Sequence, residues 1–366
     1  MRTCEQGVCV DHGEMHEFVE TFELPAALQC SHTASRKCAV AVRNYLVATT
    51  QAGFAVFNTR NPSDIRQETV PNNIGVGYSY LVRSGERVWA TTSPSGTTKV
   101  AWLDLPLDGV SPLSAPSKAN LVIPPPSVRL AAPNDTIYLF HVDNSDRKFV
   151  AQYAPGLPVL LTSHELLGAN EDTAVASTGS RLLLYKQVLH AANPNTYRHH
   201  FSLQSELLSD SSTNHRTYEE ANSTTSYLTP GFFASSRLGA VAWVTVTRNT
   251  SLQWEDVRAF WLVADDTAPI QSDWLPIAEY TTSPNGTPHG PVAFFNNDTI
   301  ATTILSGGTS STPTLVIVNR QENLNIVKRI PISPLTHGSL TVAGDAGYTY
   351  VIKDRTVRMF APLCSP

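Results

Sequence analysis

The sequence predicts an all-β fold assembled from one repeated unit, and three observations carry that prediction. Strand-like hairpins recur about seven times at intervals of roughly 45 to 58 residues. Each joins two runs rich in Val, Ile, Thr, Tyr, Phe and Trp across a polar connection, as in YLVATTQAGFAVFN from Tyr45 and GYTYVIKDRTVRMFAP from Gly347. The last unit ends one strand short, while an unassigned strand-like run stands near the other end of the chain. Repetition of this kind is the pattern of a β-propeller. The expected architecture is a seven-bladed β-propeller of four-stranded antiparallel blades, closed by an N-terminal strand that completes the last blade.

The units read from the innermost strand outward. The first is KCAVAVR, YLVATT, GFAVFN and QETV; the second GYSYLVR, RVWATT, KVAWLDL and NLVIP; the third SVRLAA, TIYLFHV, KFVAQYA and PVLLT. The fourth is DTAVAST, RLLLYKQ, YRHHFSLQ and RTYEE; the fifth GFFASS, GAVAWVTV, VRAFWLV and WLPIAEY; the sixth PVAFF, TIATTIL, TLVIVN and IVKRIPI. The seventh supplies only GSLTVAG, YTYVIK and TVRMFA. EFVETFEL, from Glu17 to Leu24, alternates Phe18, Val19 and Phe22 with acidic residues as a solvent-facing outer strand should, and pairing it with TVRMFA would close the ring. The domain reading is therefore a cysteine-containing extension over residues 1–16 and a single propeller over 17–364.

Charged residues make up 16% of the chain against an average near 25%. A net charge of −5 without any basic stripe longer than Arg36-Lys37 or Lys328-Arg329 argues against nucleic acid as a partner. No run approaches the roughly 18 apolar residues of a membrane span, and the N-terminus MRTCEQGVCVDHGEMHEF lacks the apolar core of a signal peptide. An extracellular protein with this sequence would therefore be a mature form or an excised ectodomain. Asn-X-Ser/Thr sequons stand at Asn134, Asn222, Asn249, Asn285 and Asn297, candidate glycosylation sites for such a location.

The five cysteines, Cys4, Cys9, Cys30, Cys38 and Cys364, all lie at the two ends of the chain. A disulfide from Cys364 to Cys4 or Cys9 would lock the seam between the first and last blades, which favours an oxidising compartment. The alternative is a set of free thiols in a cytosolic protein. No CxxC metal spacing occurs, and the odd count leaves one thiol over in any pairing.

The sialidase box, GxSxG, HExxH, P-loop and EF-hand signatures are absent. The units also lack the Gly-His and Trp-Asp of WD repeats and the paired glycines of kelch repeats. The chain resembles the seven-bladed β-propeller superfamily at the level of fold over nearly its whole length, and no narrower family. That resemblance implies an architecture without implying an activity.

One constellation stands out. His289-Gly290 and His337-Gly338 lead into the inner strands of the sixth and seventh units, and such lead-in loops converge on one mouth of a propeller's channel. Asn73, Glu171 and Asp172 hold equivalent positions, as do Asn72, Ser127, Thr229 and His32 or Arg36. Two imidazoles with a carboxylate can bind a divalent metal or serve as general acid and base. The plainer reading is a turn pair whose ring caps a carbonyl, and no cofactor is predicted. His199-His200 alternate across a strand and cannot chelate together. His12 and His16 near Cys4 and Cys9 lack standard zinc spacing, and Trp254 is a candidate sugar-stacking platform.

The leading functional expectation is an extracellular or lumenal module that binds a protein or glycan ligand through its channel-mouth loops. The rivals are a hydrolase or lyase built on His289, His337 and Glu171 or Asp172, and an intracellular scaffold. The oligomeric state is left open.

Overall fold

Short runs of β-branched and aromatic residues punctuated by Gly, Asn, Asp and Pro leave the chain few alternatives to short strands and tight turns. The computed structural model describes residues 3–5, 8–10, 16–29, 38–75, 77–92, 99–121, 129–132, 136–143, 145, 147–154, 160–165, 174–178, 181–189, 197–204, 214–220, 232–235, 240–248, 254–263, 271–279, 289–296, 299–305, 313–319, 325–332, 340–345 and 348–362. It opens with a hairpin, β1 (Thr3–Glu5) and β2 (Val8–Val10), followed by β3 (His16–Glu23). The first blade is β4 (Ala39–Val42), β5 (Tyr45–Thr50), β6 (Gly53–Asn58) and β7 (Arg66–Glu68). The second is β8 (Tyr78–Ser84), β9 (Arg87–Thr92), β10 (Lys99–Asp104) and β11 (Ser117–Asn120). The third is β12 (Arg129–Ala131), β13 (Ile137–Val142), β14 (Lys148–Tyr153) and β15 (Leu160–Glu165).

The fourth blade is β16 (Ala174–Thr178), β17 (Arg181–Leu189), β18 (Tyr197–Gln204) and β19 (Asn214–Glu220). The fifth is β20 (Phe232–Ser235), β21 (Ala240–Arg248), β22 (Trp254–Val263) and β23 (Gln271–Glu279). The sixth is β24 (His289–Asn296), β25 (Thr299–Leu305), β26 (Pro313–Asn319) and β27 (Asn325–Pro331). The last comprises β28 (Leu340–Asp345), β29 (Tyr348–Lys353) and β30 (Thr356–Pro362), and takes β3 as its fourth strand. Every blade is antiparallel, and the first six have their strands in chain order. Each first strand packs on the first strand of the next blade, and β28 packs on β4, so the sheets stand as a ring around a central channel. Among the described residues no helix is long and apolar enough to cross a membrane.

Closure follows the expected pairing, with Glu17 opposite Ala361, Phe18 opposite Phe360 and Phe22 opposite Val357. The outer strand of the second blade differs from the NLVIP expected. Ser117–Asn120 forms the edge, and the apolar Leu121 that follows turns into the core at 1% exposure. The physical reason is that an outer edge faces water and suits the polar run, whereas leucine gains from burial between blades.

The core lies between blades because inner and middle strands such as β4, β5 and β6 bury both faces. Along β5, Tyr45 and Val47 join the cluster shared with the second blade, while Leu46 and Ala48 join the one shared with the last. That alternation is the period-2 geometry of a strand. At the closing seam small residues Ala39, Ala41, Ala48 and Ala55 make room for Phe57, Tyr350 and Met359. Phe22 reaches into this cluster from β3 and rests on Phe57 with ring centroids 4.9 Å apart. The Tyr350 hydroxyl meets Thr59 Oγ1 at 2.6 Å, and burial raises its pKa. The end of β3 is held by Leu24 N–H donating to the Arg355 carbonyl and by Arg355 Nε donating to the Leu24 carbonyl. Cys38, at the head of β4, is fully buried and disulfide-bonded.

Truncating the ring-closing side chain tests this seam. Phe22→Ala should cost about 2–3 kcal/mol in urea unfolding, whereas Phe18→Ala, at a position 46% exposed on the same strand, should cost less than about 1 kcal/mol.

Candidate functional site

The chain direction sorts the loops onto two faces. Inner strands start at the channel mouth, and the turns that follow them lie on the opposite face. The opposite face carries the best-defined polar cluster. Asp345 ends β28, Arg43 sits in the turn after β4, and Arg83 lies near the end of β8, so three successive blades converge there. Arg83 donates to Asp345 Oδ2 at 2.7 Å and to the Ala41 carbonyl at 3.2 Å, and Arg43 N–H donates to the same carboxylate at 2.7 Å. Both side chains of the ion pair are nearly buried, at 13% and 11% exposure, so the charge is stabilised by charge-assisted bonds rather than by water. Arg43 takes φ +50, a left-handed conformation that the turn requires.

From this cluster Arg43 reaches outward. Its Nε lies 2.7 Å from Glu86 Oε1, and its NH1 donates to the Leu107 carbonyl. Leu107 belongs to the 105–116 loop, which joins β10 to β11 and leans onto the first blade. Arg60 donates to the Asp108 carbonyl and Asn58 Nδ2 to the Gly109 carbonyl at 2.9 Å, so three consecutive carbonyls are held from the first blade. The Asp108 carboxylate accepts from Ser111 Oγ and from the backbone N–H groups of Ser111 and Val110. Those bonds, the Ser111 hydroxyl foremost, lower its pKa to about 2. Gly109 supplies φ +67 at the turn, and Leu105 and Leu113 anchor both flanks in the core. The tip presents Leu107 and Val110, which are 65% and 79% exposed.

The mouth face is where the sequence reading put its candidate site, and two of those candidates, Asn73 and His289, fall among the described residues. Asn73 is spent on the fold: Phe54 N–H donates to its Oδ1 at 2.9 Å and its Nδ2 donates to the Phe54 carbonyl at 2.8 Å. Gly53, at φ +104, lies so close that an added Cβ would collide with Asn73 Oδ1 and the Ile74 carbonyl. His289 is the first residue of the inner strand β24, opposite Ile304. His337, Glu171 and Asp172 lie outside the described residues, as do Asn134, Asn222, Asn249, Asn285 and Asn297. Cys30 and Cys364 also lie outside, while Cys4 and Cys9 face each other across the β1–β2 hairpin. Trp254, expected in a connection, opens β22 opposite Arg248. Among the described residues no three His, Cys, Asp or Glu side chains come together as a metal-binding group.

Sequence reading missed the Asp345 cluster, because its members lie up to 302 positions apart and no local pattern links them. The Asp108-Gly109 pair was a legible turn signal for the apolar loop. On the third blade sequence also passed over His141, which stacks on Phe149 at 5.2 Å and 14° beneath Arg147. Burial lowers the His141 pKa, with Asp143 opposing.

No family model matches the chain, and no curated protein matches it. Solved structures do. Streptogramin B lyase is 10% identical with TM-score 0.50, over 95% of this chain and 99% of that one. A chain of the mitotic checkpoint complex is 9% identical with TM-score 0.51, over 100% of this chain and 97% of that one. The β-propeller domain of the trilobed protease from Pyrococcus furiosus is 9% identical with TM-score 0.49, over 91% and 98%. Similarity at this level of identity concerns the fold alone, and the fold is a β-propeller.

Two outcomes are expected. Arg83→Met leaves the Asp345 carboxylate with one backbone donor in a nearly dry site, and should cost about 3 kcal/mol by urea unfolding; adding Asp345→Leu should recover part of that loss. For His141 the folded pKa lies below the unfolded value of about 6.5, so unfolding takes up a proton below that pH. Melting temperature should therefore fall as pH drops below 6.5 until the folded His141 titrates, and His141→Gln should flatten that slope.

Proposed function

We propose that this chain is a protein-binding propeller of an extracellular or lumenal compartment, with its main contact surface around the 105–116 loop. The observation that carries this reading is the fixed tip of that loop. Leu107 and Val110 stand out in water on a segment already bonded into shape. A partner that covers them gains apolar burial without meeting the cost of ordering the loop. The buried disulfide at Cys38 and the sequons support the oxidising compartment.

The channel mouth is the alternative surface. Asn73 is already committed there, which leaves His289, His337, Glu171 and Asp172 as the residues of a rival hydrolase or lyase site. The head of β24 is a suitable place for one of its imidazoles. A glycan ligand would draw instead on aromatic residues such as Trp254.

Affinity purification from a secretory host separates these readings. Leu107→Asp with Val110→Asp should abolish a stoichiometric protein complex while leaving the melting temperature unchanged, and His289→Ala with His337→Ala should retain it. The reverse pattern would move the interface to the mouth. A wild-type protein that captures no protein but cleaves a polysaccharide, ester or lactone would sink the binding reading in favour of the enzyme.

A further inference from the structure

The structure holds Cys38 in a disulfide, and its partner is not among the described side chains. We infer that Cys38 pairs with Cys30 and Cys4 with Cys9, which leaves Cys364 as the odd thiol. Gln29 N–H donates to the Thr49 carbonyl at 2.9 Å, and Thr49 N–H donates to the Cys38 carbonyl at 2.8 Å. Gln29 and Cys38 thus flank the same residue of β5. Leu28 bridges Thr50, and Gln51 N–H donates to the Ala27 carbonyl, so the whole 27–29 segment runs along the end of that strand. Cys30 follows Gln29 by one α-carbon step of about 3.8 Å, a reach that allows it to meet Cys38 at the roughly 4.4–6.8 Å Cα separation a disulfide spans.

The other cysteines are excluded by reach or already matched. Cys364 comes two residues after Pro362, which pairs with His16 on the face away from the mouth. Two residues extend about 7 Å, whereas a strand of this length separates the faces by about 20 Å. Cys4 stands directly opposite Cys9 in the β1–β2 register. Cross-strand partners have Cα atoms about 4.5–5.5 Å apart, again within disulfide range. The inferred pairing is an alternative to the seam-locking bond from Cys364 to Cys4 or Cys9 expected from sequence, and it makes the disulfide a local pin. That pin lies just after the closing strand, where the chain passes from the last blade to the first.

Each bond forms by exchange with a small disulfide such as oxidised glutathione. Two protein thiols lose their protons, one S–S bond forms, and the oxidant leaves as two thiols. The pairing shares only the oxidising compartment with the proposed function and is independent of the ligand.

Reduced, folded protein should be reoxidised with oxidised glutathione and digested without reduction. Cleavage at Arg36 separates Cys30 from Cys38, and cleavage at Glu5 separates Cys4 from Cys9, so mass spectrometry resolves both bonds. The expected map is Cys30–Cys38 and Cys4–Cys9, with Cys364 carrying glutathione. Any bond between Cys364 and another cysteine of the same chain overturns it. Protein taken directly from its native source is mapped in parallel: free thiols there would defeat the compartment reading while the reoxidised map still stands. In Cys30→Ser, amide exchange at Gln29 and Gln51 should rise roughly a hundredfold, and unchanged exchange would overturn the pinning role.

Discussion

The pairing of β3 with β30 is the interaction on which the ring depends. It joins residues more than 330 positions apart, such as Glu23 and Thr356, whose side chains bond at 2.7 Å. Without it the last blade would offer an open edge, and the cluster between the last and first blades would lose Val19, Phe22 and Leu24. The chain carries closing contacts well beyond the ladder itself. Leu24, Leu28 and Arg355 tie the segment after β3 to the turn between β29 and β30, so both margins of the seam are fixed.

The same seam shows how apolar and polar contacts divide the work. Small alanines on the first blade accept the bulky Tyr350 and Met359 from the last, and packing of that kind places the two sheets against each other. Away from the mouth, Asp345, Arg83 and the Arg43 backbone join three blades through a single carboxylate. Directional bonds of this sort set the position of each blade more narrowly than apolar contact alone, because a nearly buried carboxylate is costly in any arrangement that lacks its donors.

Order at that cluster is passed outward to the surface. Arg43 links it to the Leu107 carbonyl, and Arg60 and Asn58 hold the next two carbonyls of the loop. The loop therefore owes its shape to the neighbouring blade as much as to its own Asp108 turn. A loop built in this way displays apolar side chains without collapsing onto the body, which distinguishes it from a loop that must order when it binds.

Most of the strand pattern was legible in the sequence, since YLVATT, GFAVFN, RVWATT and YTYVIK form strands at the positions their composition indicates. So was the closing role of EFVETFEL, because the last unit lacked one strand and only that run could supply it. The outer strand of the second blade was misplaced by three residues, since an apolar NLVIP resembles a strand until the core that takes Leu121 is known. Asn73 illustrates the larger limit. Its position on the mouth face followed from the repeat, yet its bonds to Phe54 depend on two loops meeting in space. Periodicity and turn chemistry are local and are written along the chain, so sequence alone determined the fold class and the order of the blades. Which polar groups are spent on the fold, and which apolar ones are left facing water, depends on contacts between blades, and only the tertiary structure decides that.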